Sequence, residues 1–221
     1  MAQIDDAINA YQSSLDNATT QFVSDTKELE DDGLSVEEIL LILAAIDFTS
    51  YFVEELGLSA GINSYMATTE TLLADLPFFG VATETQLVAL QNIQRSNIEG
   101  LSRTVASSMR ASMAQGIANR LDRFEMEDLI KANLRTQVPR IDNVIGTQLA
   151  NYQQSVIATM AADLPDDTKY NYSGPRDNRP VCRQYLDSQP LTKNEIKVIK
   201  SDGFSARGGV NCRHLWLPTD V

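Results

Sequence analysis

The sequence has few of the side chains that carry most enzyme chemistry: two cysteines, one histidine and one tryptophan among 221 residues. Two cysteines do not describe the disulfide framework of a small secreted domain, so free thiols or metal ligands are the first alternatives. The histidine, the tryptophan and one cysteine all lie within the final stretch "GGVNCRHLWLPTDV". The distinctive chemistry is therefore expected at the end of the chain.

Long apolar segments are also lacking. The longest run, residues 39–46, has eight residues, whereas a transmembrane helix needs about twenty. The N-terminal "MAQIDDAINAYQ" has acids where a signal peptide would have a basic region followed by an apolar one. We therefore expect no membrane partner, and synthesis in a cytoplasm.

Positive charge is scarce in most of the chain. The sequence holds 18 Lys or Arg against 30 Asp or Glu, a formal net charge of −12. Residues 166–221 have nine basic and seven acidic side chains, so this segment carries +2 and residues 1–165 carry −14. Nucleic-acid binding depends mainly on basic side chains that neutralise phosphates. We therefore expect no direct, sequence-specific nucleic-acid binding.

Apolar residues are plentiful and recur at helical spacing before residue 163. They make up 43% of the sequence, enough for a folded core. Intervals of mostly three or four residues predict three helices, a long one across 87–117, a short one across 124–134 and another across 141–160. Their apolar stripes are Leu87, Leu90, Ile93, Leu101, Val105, Met109, Met113 and Ile117; Phe124, Leu129, Ile130 and Leu134; and Ile141, Val144, Ile145, Leu149, Tyr152, Val156 and Met160.

The segment "LSVEEILLILAAIDFTSYFVEELGL" is predicted to form one helix. Ser35 stands three residues before Glu38, the arrangement of a capping box, and Gly57 marks the end. This helix would be apolar on most of its circumference, which predicts a central place in a bundle or burial against a neighbouring copy. The residues expected to be buried are Ile39, Leu40, Leu43 and Ile46.

The pattern changes at "DLPDDTKYNYSGPRDNRPVCRQ". Prolines, a Gly-Pro pair and several Asp and Asn indicate turns, and Tyr170 and Tyr172 at alternate positions indicate a short strand. Thr192, three residues before Glu195, predicts a short helix that stops at Gly203. The predicted fold class is mainly α: an acidic helical array, residues 1–162, then a small C-terminal α+β module, residues 163–221, with short strands and one short helix.

The end of the chain is predicted to be the closing strand of this module. Cys212, His214 and Trp216 occupy every second position, so they would share one face, with Arg213 on the opposite face. We expect Cys212 and Trp216 to point inward, and His214 to hydrogen-bond a buried carbonyl or carboxylate. Arg213 would be free to pair with an acid or to contact a partner.

Three kinds of chemistry fit Cys182, Cys212 and His214. A zinc site needs four ligands, and Asp177 or Asp187 would be a poor fourth beside these three. A Cys182 nucleophile with His214 as its base would make a thiol-dependent enzyme, although neither cysteine lies in a recognisable catalytic motif. The third interpretation, which we favour, is structural packing with no catalytic residue.

Two blocks of the C-terminal region resemble a known family. "YSGPRDNRPVCRQYL" and, about thirty residues later, "GGVNCRHLWLP" are similar to the C-terminal module of the tailed-phage minor head proteins, the Mu F-like head morphogenesis family. The resemblance covers about fifty of the 221 residues. The matching residues are Gly174, Pro175, Asp177, Arg179 and Cys182 in the first block, and Gly208, Gly209, Asn211, Cys212, Arg213, His214 and Pro218 in the second.

The resemblance implies a bacteriophage structural protein with no enzymatic activity. Many members of that family have a further Cys or His that would complete a metal site, and this chain lacks it, so we expect no cofactor. It would be a minor head protein, made in the bacterial host cytoplasm and incorporated into the virion head at the portal vertex or the inner face of the capsid. Its role would be viral assembly, either head morphogenesis or genome delivery. Its partners would be the portal, the major capsid protein or a second copy of itself. The alternative is a small metal- or thiol-dependent enzyme that uses Cys182, Cys212 and His214.

The joint presence of the two blocks in that family also implies that Cys182 lies near Cys212. If the two thiols are within bonding distance, a disulfide would form once the virion leaves the reducing cytoplasm. Such a bond would close a loop of about thirty residues and add roughly 3–4 kcal/mol to the free energy of unfolding in the chain-entropy model.

Overall fold

The computed structural model describes residues 2–76, 82–137, 141–174, 179–209 and 212–219. Within these ranges the chain forms ten α-helices and a small antiparallel sheet of three strands, which confirms the predicted fold class. The α-helices are α1 (Ala2–Asp31), α2 (Val36–Ala45), α3 (Phe48–Ser50), α4 (Leu58–Ala74), α5 (Glu84–Ala118), α6 (Arg123–Gln137), α7 (Ile141–Met160), α8 (Pro180–Ser188), α9 (Lys193–Ile199) and α10 (Gly203–Ala206). The strands are β1 (Lys169–Ser173), β2 (Leu191–Thr192) and β3 (Leu215–Pro218).

Helices α5, α6 and α7 correspond to the three predicted apolar stripes. Most stripe residues pack inward, but Ile93 and Phe124 are exposed, and the neighbouring Gln94 and Met126 are buried instead. The inward positions of α5 continue from Gln94 through 98, 105, 109, 113 and 117, and residue 93 points about 160° away from the centre of that face. In the part of the chain that the structure describes, no helix is both long and apolar enough to cross a membrane.

The segment predicted as one helix from Ser35 to Gly57 is interrupted in the structure. The capping box between Ser35 and Glu38 is present and starts α2, but α2 ends at residue 45. Asp47 then accepts hydrogen bonds from the backbone N–H groups of Thr49 and Ser50 and starts α3, because an Asp side chain competes well for free N–H groups at a helix start. A π-helical turn, Tyr51–Glu55, follows, and Gly57 closes the segment at a φ of +82°.

Helix α2 lies at the surface of the bundle and not at its centre, contrary to prediction. Ile39 and Leu43 are buried, whereas Leu40 and Ile46 are only half-buried against the core. The side chains of Leu41 and Ile42 are 69% and 37% exposed. A ten-residue helix that packs on one side cannot bury an apolar circumference, so its outer face is left in water.

Buried apolar side chains form two clusters, and α7 contributes to both. The helical core extends from Ile4 of α1 to Leu149 of α7 and includes residues of α2, α4, α5 and α6. The C-terminal core begins at Tyr152 of α7 and ends at Trp216 of β3. The helix that precedes the predicted module boundary thus supplies one wall of the module's own core.

The C-terminal sheet has the order β2–β1–β3, with β1 in the middle and both neighbours antiparallel to it. Tyr170 is opposite Leu191 of β2 and Pro218 of β3, and Tyr172 is opposite Trp216. The predicted short helix is α9, which Thr192 and Glu195 start with a capping box. The module holds two further short helices, α8 and α10, which flank α9 in the chain.

Candidate functional site

The structure brings together the three side chains that the sequence singled out. Cys182 lies in the first turn of α8, and Cys212 and His214 lie in the segment that leads into β3. One ligand atom from each of the three is within 4.8 Å of the other two. All three side chains are 0% exposed. We refer to Cys182, Cys212 and His214 as the Cys-Cys-His cluster.

The two cysteines are free thiols in this structure. Their closeness confirms that the two sequence blocks meet in space. The expected disulfide stays a prediction for the protein outside the reducing cytoplasm.

A fourth side chain, Tyr172 of β1, completes the surroundings of the cluster. Its hydroxyl oxygen lies 3.0 Å from Cys212 Sγ and 3.6 Å from Cys182 Sγ. Its ring stacks on the imidazole of His214, with ring centroids 4.4 Å apart and planes 3° apart. The alternation of Tyr170 and Tyr172 predicted a strand here but not this contact, because the pairing of β1 with β3 brings the partners together.

The backbone passes so close to the cluster at two positions that only glycine can be accommodated there. A Cβ at Gly208 would overlap Cys182 Sγ and lie 3.1 Å from Cys212 Sγ. A Cβ at Gly174 would lie 2.8 Å from the backbone and ring of His214. Real Cβ contacts are longer than this, so only glycine fits at either position. Both glycines are among the residues that carry the family resemblance.

The hydrogen bonding of His214 differs from the prediction. Its Nδ1 lies 3.5 Å from Cys212 Sγ, so the partner is a thiol and not a carbonyl or carboxylate. Its Nε2 is buried and has no hydrogen-bond partner among the residues that the structure describes. Side chains two positions apart on an extended chain point to the same side, so the imidazole of His214 lies next to the thiol of Cys212.

The surroundings favour the thiolate form of Cys212. Burial raises the pKa of this thiol. Hydrogen bonds from His214, from Tyr172 and from the backbone at His214 and Gly208 lower it by more than burial raises it, and the resulting pKa is about 6. The hydrogen bond from the Gly208 N–H to Cys212 Sγ is 3.3 Å long. Burial, together with the two thiols, raises the pKa of Tyr172, which keeps its hydroxyl protonated. The site can therefore hold a negative sulfur beside protonated donors.

Arg207 is a residue of this site that the sequence analysis missed. Its side chain is 1% exposed and its backbone has a φ of 52°, a region that favours glycine. The guanidinium donates hydrogen bonds to the carbonyl oxygen of Ala150 at 2.8 Å, to that of His214 at 3.3 Å, and to Asn151 Oδ1. Burial lowers the pKa of Arg207. This arginine fastens the cluster segment to α7, and no local sequence pattern distinguishes it from a surface arginine.

The residues around the cluster alternate as predicted. Trp216 is buried; its backbone N–H donates to Gln154 Oε1 at 3.1 Å, and its indole N–H donates to the Gly203 carbonyl at 3.3 Å. Arg213 points the opposite way and pairs with Asp5 of α1, with Nη1 and Oδ1 2.9 Å apart. The predicted pairing of Arg213 with an acid is confirmed.

The remaining motif residues have structural places around the cluster. Arg179 is the N-cap residue of α8, Gly209 has a φ of +100°, and Pro218 ends β3 opposite Tyr170. Pro175, Asp177 and Asn211 lie outside the described residues. Asp187, considered as a poor fourth zinc ligand, is exposed on α8 and is not part of the Cys-Cys-His cluster.

Comparison with known proteins gives no family for this chain. No family model matches the sequence, and neither the curated proteins nor the solved structures contain a significant match.

Proposed function

We propose that this protein is a structural component of a tailed-phage head, a minor head protein that docks on the portal or the inner capsid during assembly. The observation that supports this most is the meeting of both resembling sequence blocks in one buried cluster. The thiols of Cys182 and Cys212 leave no room for a Cβ at position 208, and His214 leaves none at position 174, so both positions require glycine. Five of the residues that carry the resemblance, Gly174, Cys182, Gly208, Cys212 and His214, thus pack against one another in this module.

Burial of the cluster favours assembly over catalysis. A nucleophilic thiol must be reached by its substrate, and catalytic cysteines sit in partly exposed surroundings. Cys182, Cys212 and His214 are each 0% exposed. The side chains instead pack among Tyr172, Trp216 and their neighbours. The cluster therefore serves the architecture of the C-terminal module in this proposal.

The helical region offers a surface for the partner. Ile42 of α2 is exposed and lines a groove of about 330 Å³ whose apolar lining also includes Leu29 and Ile46. Acidic residues also line this groove: Asp25, Glu28 and Asp32. An apolar floor with an acidic rim suits an apolar segment of the partner flanked by basic side chains. We assign docking on the portal or capsid to this surface.

The test is quantitative mass spectrometry of heads assembled in cells that express this chain with the other head proteins of the same genome. We expect a few copies of the chain per portal ring. Ile42→Asp should reduce incorporation at least tenfold, the effect of losing about 1.4 kcal/mol of binding, because Ile42 is exposed and lines the groove. Phe124→Asp is the matched control, because Phe124 is 78% exposed on α6, outside the residues that line the groove. Heads that assemble normally and contain none of the chain would overturn the proposal.

A thiol-dependent enzyme is the second candidate, and one observation favours it. The hydrogen bonds to Cys212 bring its pKa to about 6, which leaves a thiolate at neutral pH. The measurement that separates the two functions is alkylation by iodoacetamide of the native chain. A structural thiol at 0% exposure should react far more slowly than in the unfolded chain. Rapid alkylation of Cys212 in the folded protein would favour the enzyme.

A further inference from the structure

We propose that two copies of this chain associate through a cleft beside α5, with Arg103 of each copy paired to Glu99 of the other. This inference goes beyond the proposed function and does not depend on it. The cleft has a volume of about 360 Å³ and is lined by residues of α3, the π-helical turn, α4 and α5. It shares no lining residue with the groove assigned to docking on the portal or capsid.

The cleft contains two basic and two acidic side chains. Arg95, Glu99 and Arg103 line it from α5, and Glu54 lines it from the π-helical turn. We refer to the first three as the α5 triad. All four side chains are exposed, and none of them forms an ion pair with another residue in the described ranges. The cleft is therefore neutral in net charge, and its charges are not used within the chain.

Helix α6 shows what the same spacing ordinarily produces. Arg123, Glu127 and Lys131 repeat the basic, acidic, basic order of the α5 triad at intervals of four residues. Both ion pairs form on α6, with nitrogen and oxygen 3.7 and 3.4 Å apart. Opposite charges four residues apart on a helix stabilise each other in this way. The side chains of the α5 triad, which form no such pair, are available to charged groups outside the chain.

The mixture of charges excludes a partner of one sign. A purely acidic segment would be repelled by Glu54 and Glu99, and a purely basic one by Arg95 and Arg103. A second copy of the cleft presents equal numbers of both signs. Residues 1–165 hold 23 acidic and 9 basic side chains, so two copies repel each other over most of this region. The neutral cleft is a place where two copies can approach without that repulsion.

A two-fold axis between positions 99 and 103 brings opposite charges together twice. The two positions are about one turn apart on the exposed side of α5. In a two-fold contact, a residue pair formed in one direction is formed again in the other. Antiparallel α5 helices therefore place Arg103 of each copy opposite Glu99 of the other. The aliphatic stem of each arginine packs against the apolar lining of the cleft, Val53 and Ile62.

The experiment measures self-association of the full-length chain by analytical ultracentrifugation. A salt concentration of about 0.15 M screens long-range repulsion beyond about 8 Å. We expect a reversible equilibrium between monomer and dimer. Arg103→Glu and Glu99→Arg should each raise the dissociation constant at least tenfold, because each places like charges together twice. The two changes shift the net charge in opposite directions, so a common loss of dimer cannot be an effect of net charge.

Arg123→Glu is the matched control. It changes the net charge as Arg103→Glu does, and its side chain is 48% exposed on α6, outside the cleft. The dissociation constant should stay within about twofold of the parent value, as for a surface change away from the contact.

A mixture of the two single variants tests the pairing directly. One variant has Glu at both positions and the other has Arg at both, so a mixed dimer again joins opposite charges at both contacts. The equimolar mixture should dimerise nearly as the parent does, which also shows that both variants are folded. The double variant Glu99→Arg/Arg103→Glu should dimerise as well.

Three results would overturn the proposal. The first is a parent chain that stays monomeric up to about 0.5 mM, a concentration at which even weak contacts are populated. The second is a parent that dimerises while the mixture of single variants does not. The third is a monomeric parent whose incorporation into heads falls with Arg103→Glu, because the occupant of the cleft is then a different head protein.

Discussion

Arg213 and Asp5 join the two ends of the chain, with the guanidinium Nη1 2.9 Å from the carboxylate Oδ1. The guanidinium crosses α7 at Gly146, where a Cβ would lie 3.0 Å from Nη2. The segment that carries the Cys-Cys-His cluster is therefore held against both α1 and α7. Two features therefore join the helical array to the C-terminal module: this ion pair, and helix α7, which contributes side chains to both cores.

The Arg213–Asp5 pair should contribute little to stability despite its position. The side chains are 29% and 56% exposed, and water screens such pairs. A double-mutant cycle with Arg213→Ala and Asp5→Ala should give a coupling energy of about 0.5 kcal/mol in urea unfolding. A coupling above about 2 kcal/mol would mean that this pair is the main link between the two ends.

Leu43 should be essential to the helical core, although α2 lies at the surface. Its side chain is 5% exposed, whereas that of Leu41 on the same helix is 69% exposed. Leu43→Asp should lower the free energy of unfolding by about 3–5 kcal/mol, because an unpaired charge would be buried. Leu41→Asp is the control and should change it by less than about 0.5 kcal/mol. Equal effects in denaturant unfolding would show that α2 does not pack as described.

Gly208→Ala should destabilise the C-terminal module. The added methyl group would overlap Cys182 Sγ, and overpacking of this kind costs about 1–3 kcal/mol. Gly100→Ala is the control, since Gly100 lies in α5 with open space around its Cα, and it should stabilise the chain by about 0.5–1 kcal/mol. Thermal unfolding followed by tryptophan fluorescence reports on the module, because the one tryptophan is Trp216. An unshifted transition in the Gly208 variant would contradict the close packing of the thiols.

The boundary between the helical array, 1–162, and the module, 163–221, should be the first place that a protease cuts. Turn residues follow α7 and precede β1, and exposed turns are cleaved before helices. A protease of broad specificity is required, because 141–160 contains no lysine or arginine for trypsin. Mass spectrometry should locate the first cut within 163–180. A first cut within 141–160 would show that α7 opens before the boundary does.

Deletion of residues 212–221 should unfold the C-terminal module and leave most of the helical array folded. The deletion removes Cys212, His214, Trp216 and the whole of β3. The helical core has its own buried residues from Ile4 to Leu149 and does not include the deleted segment. Circular dichroism should therefore show largely preserved helix, and the truncated chain should be absent from assembled heads. Normal incorporation would mean that the distinctive final residues are dispensable.

The sequence by itself determined the fold class and the positions of helices α5, α6 and α7. Apolar spacing of three and four residues placed α5, α6 and α7, and capping boxes placed the starts of α2 and α9, because these signals depend on neighbours along the chain. The alternation of Cys212, Arg213 and His214 also predicted which side chains point inward, since successive residues of an extended chain face opposite ways. The closeness of Cys182 to Cys212 was implied only by the family resemblance.

Tertiary structure alone decided the details of burial and the composition of the site. Apolar content predicted a central α2, but packing on one side left Leu41 in water. Asp47 ended a helix that periodicity would have continued, because its carboxylate captured the N–H groups of the next turn. Tyr172 and Arg207 reach the cluster from a paired strand and from a short helix end, and such contacts between segments distant in the chain leave no mark on local sequence.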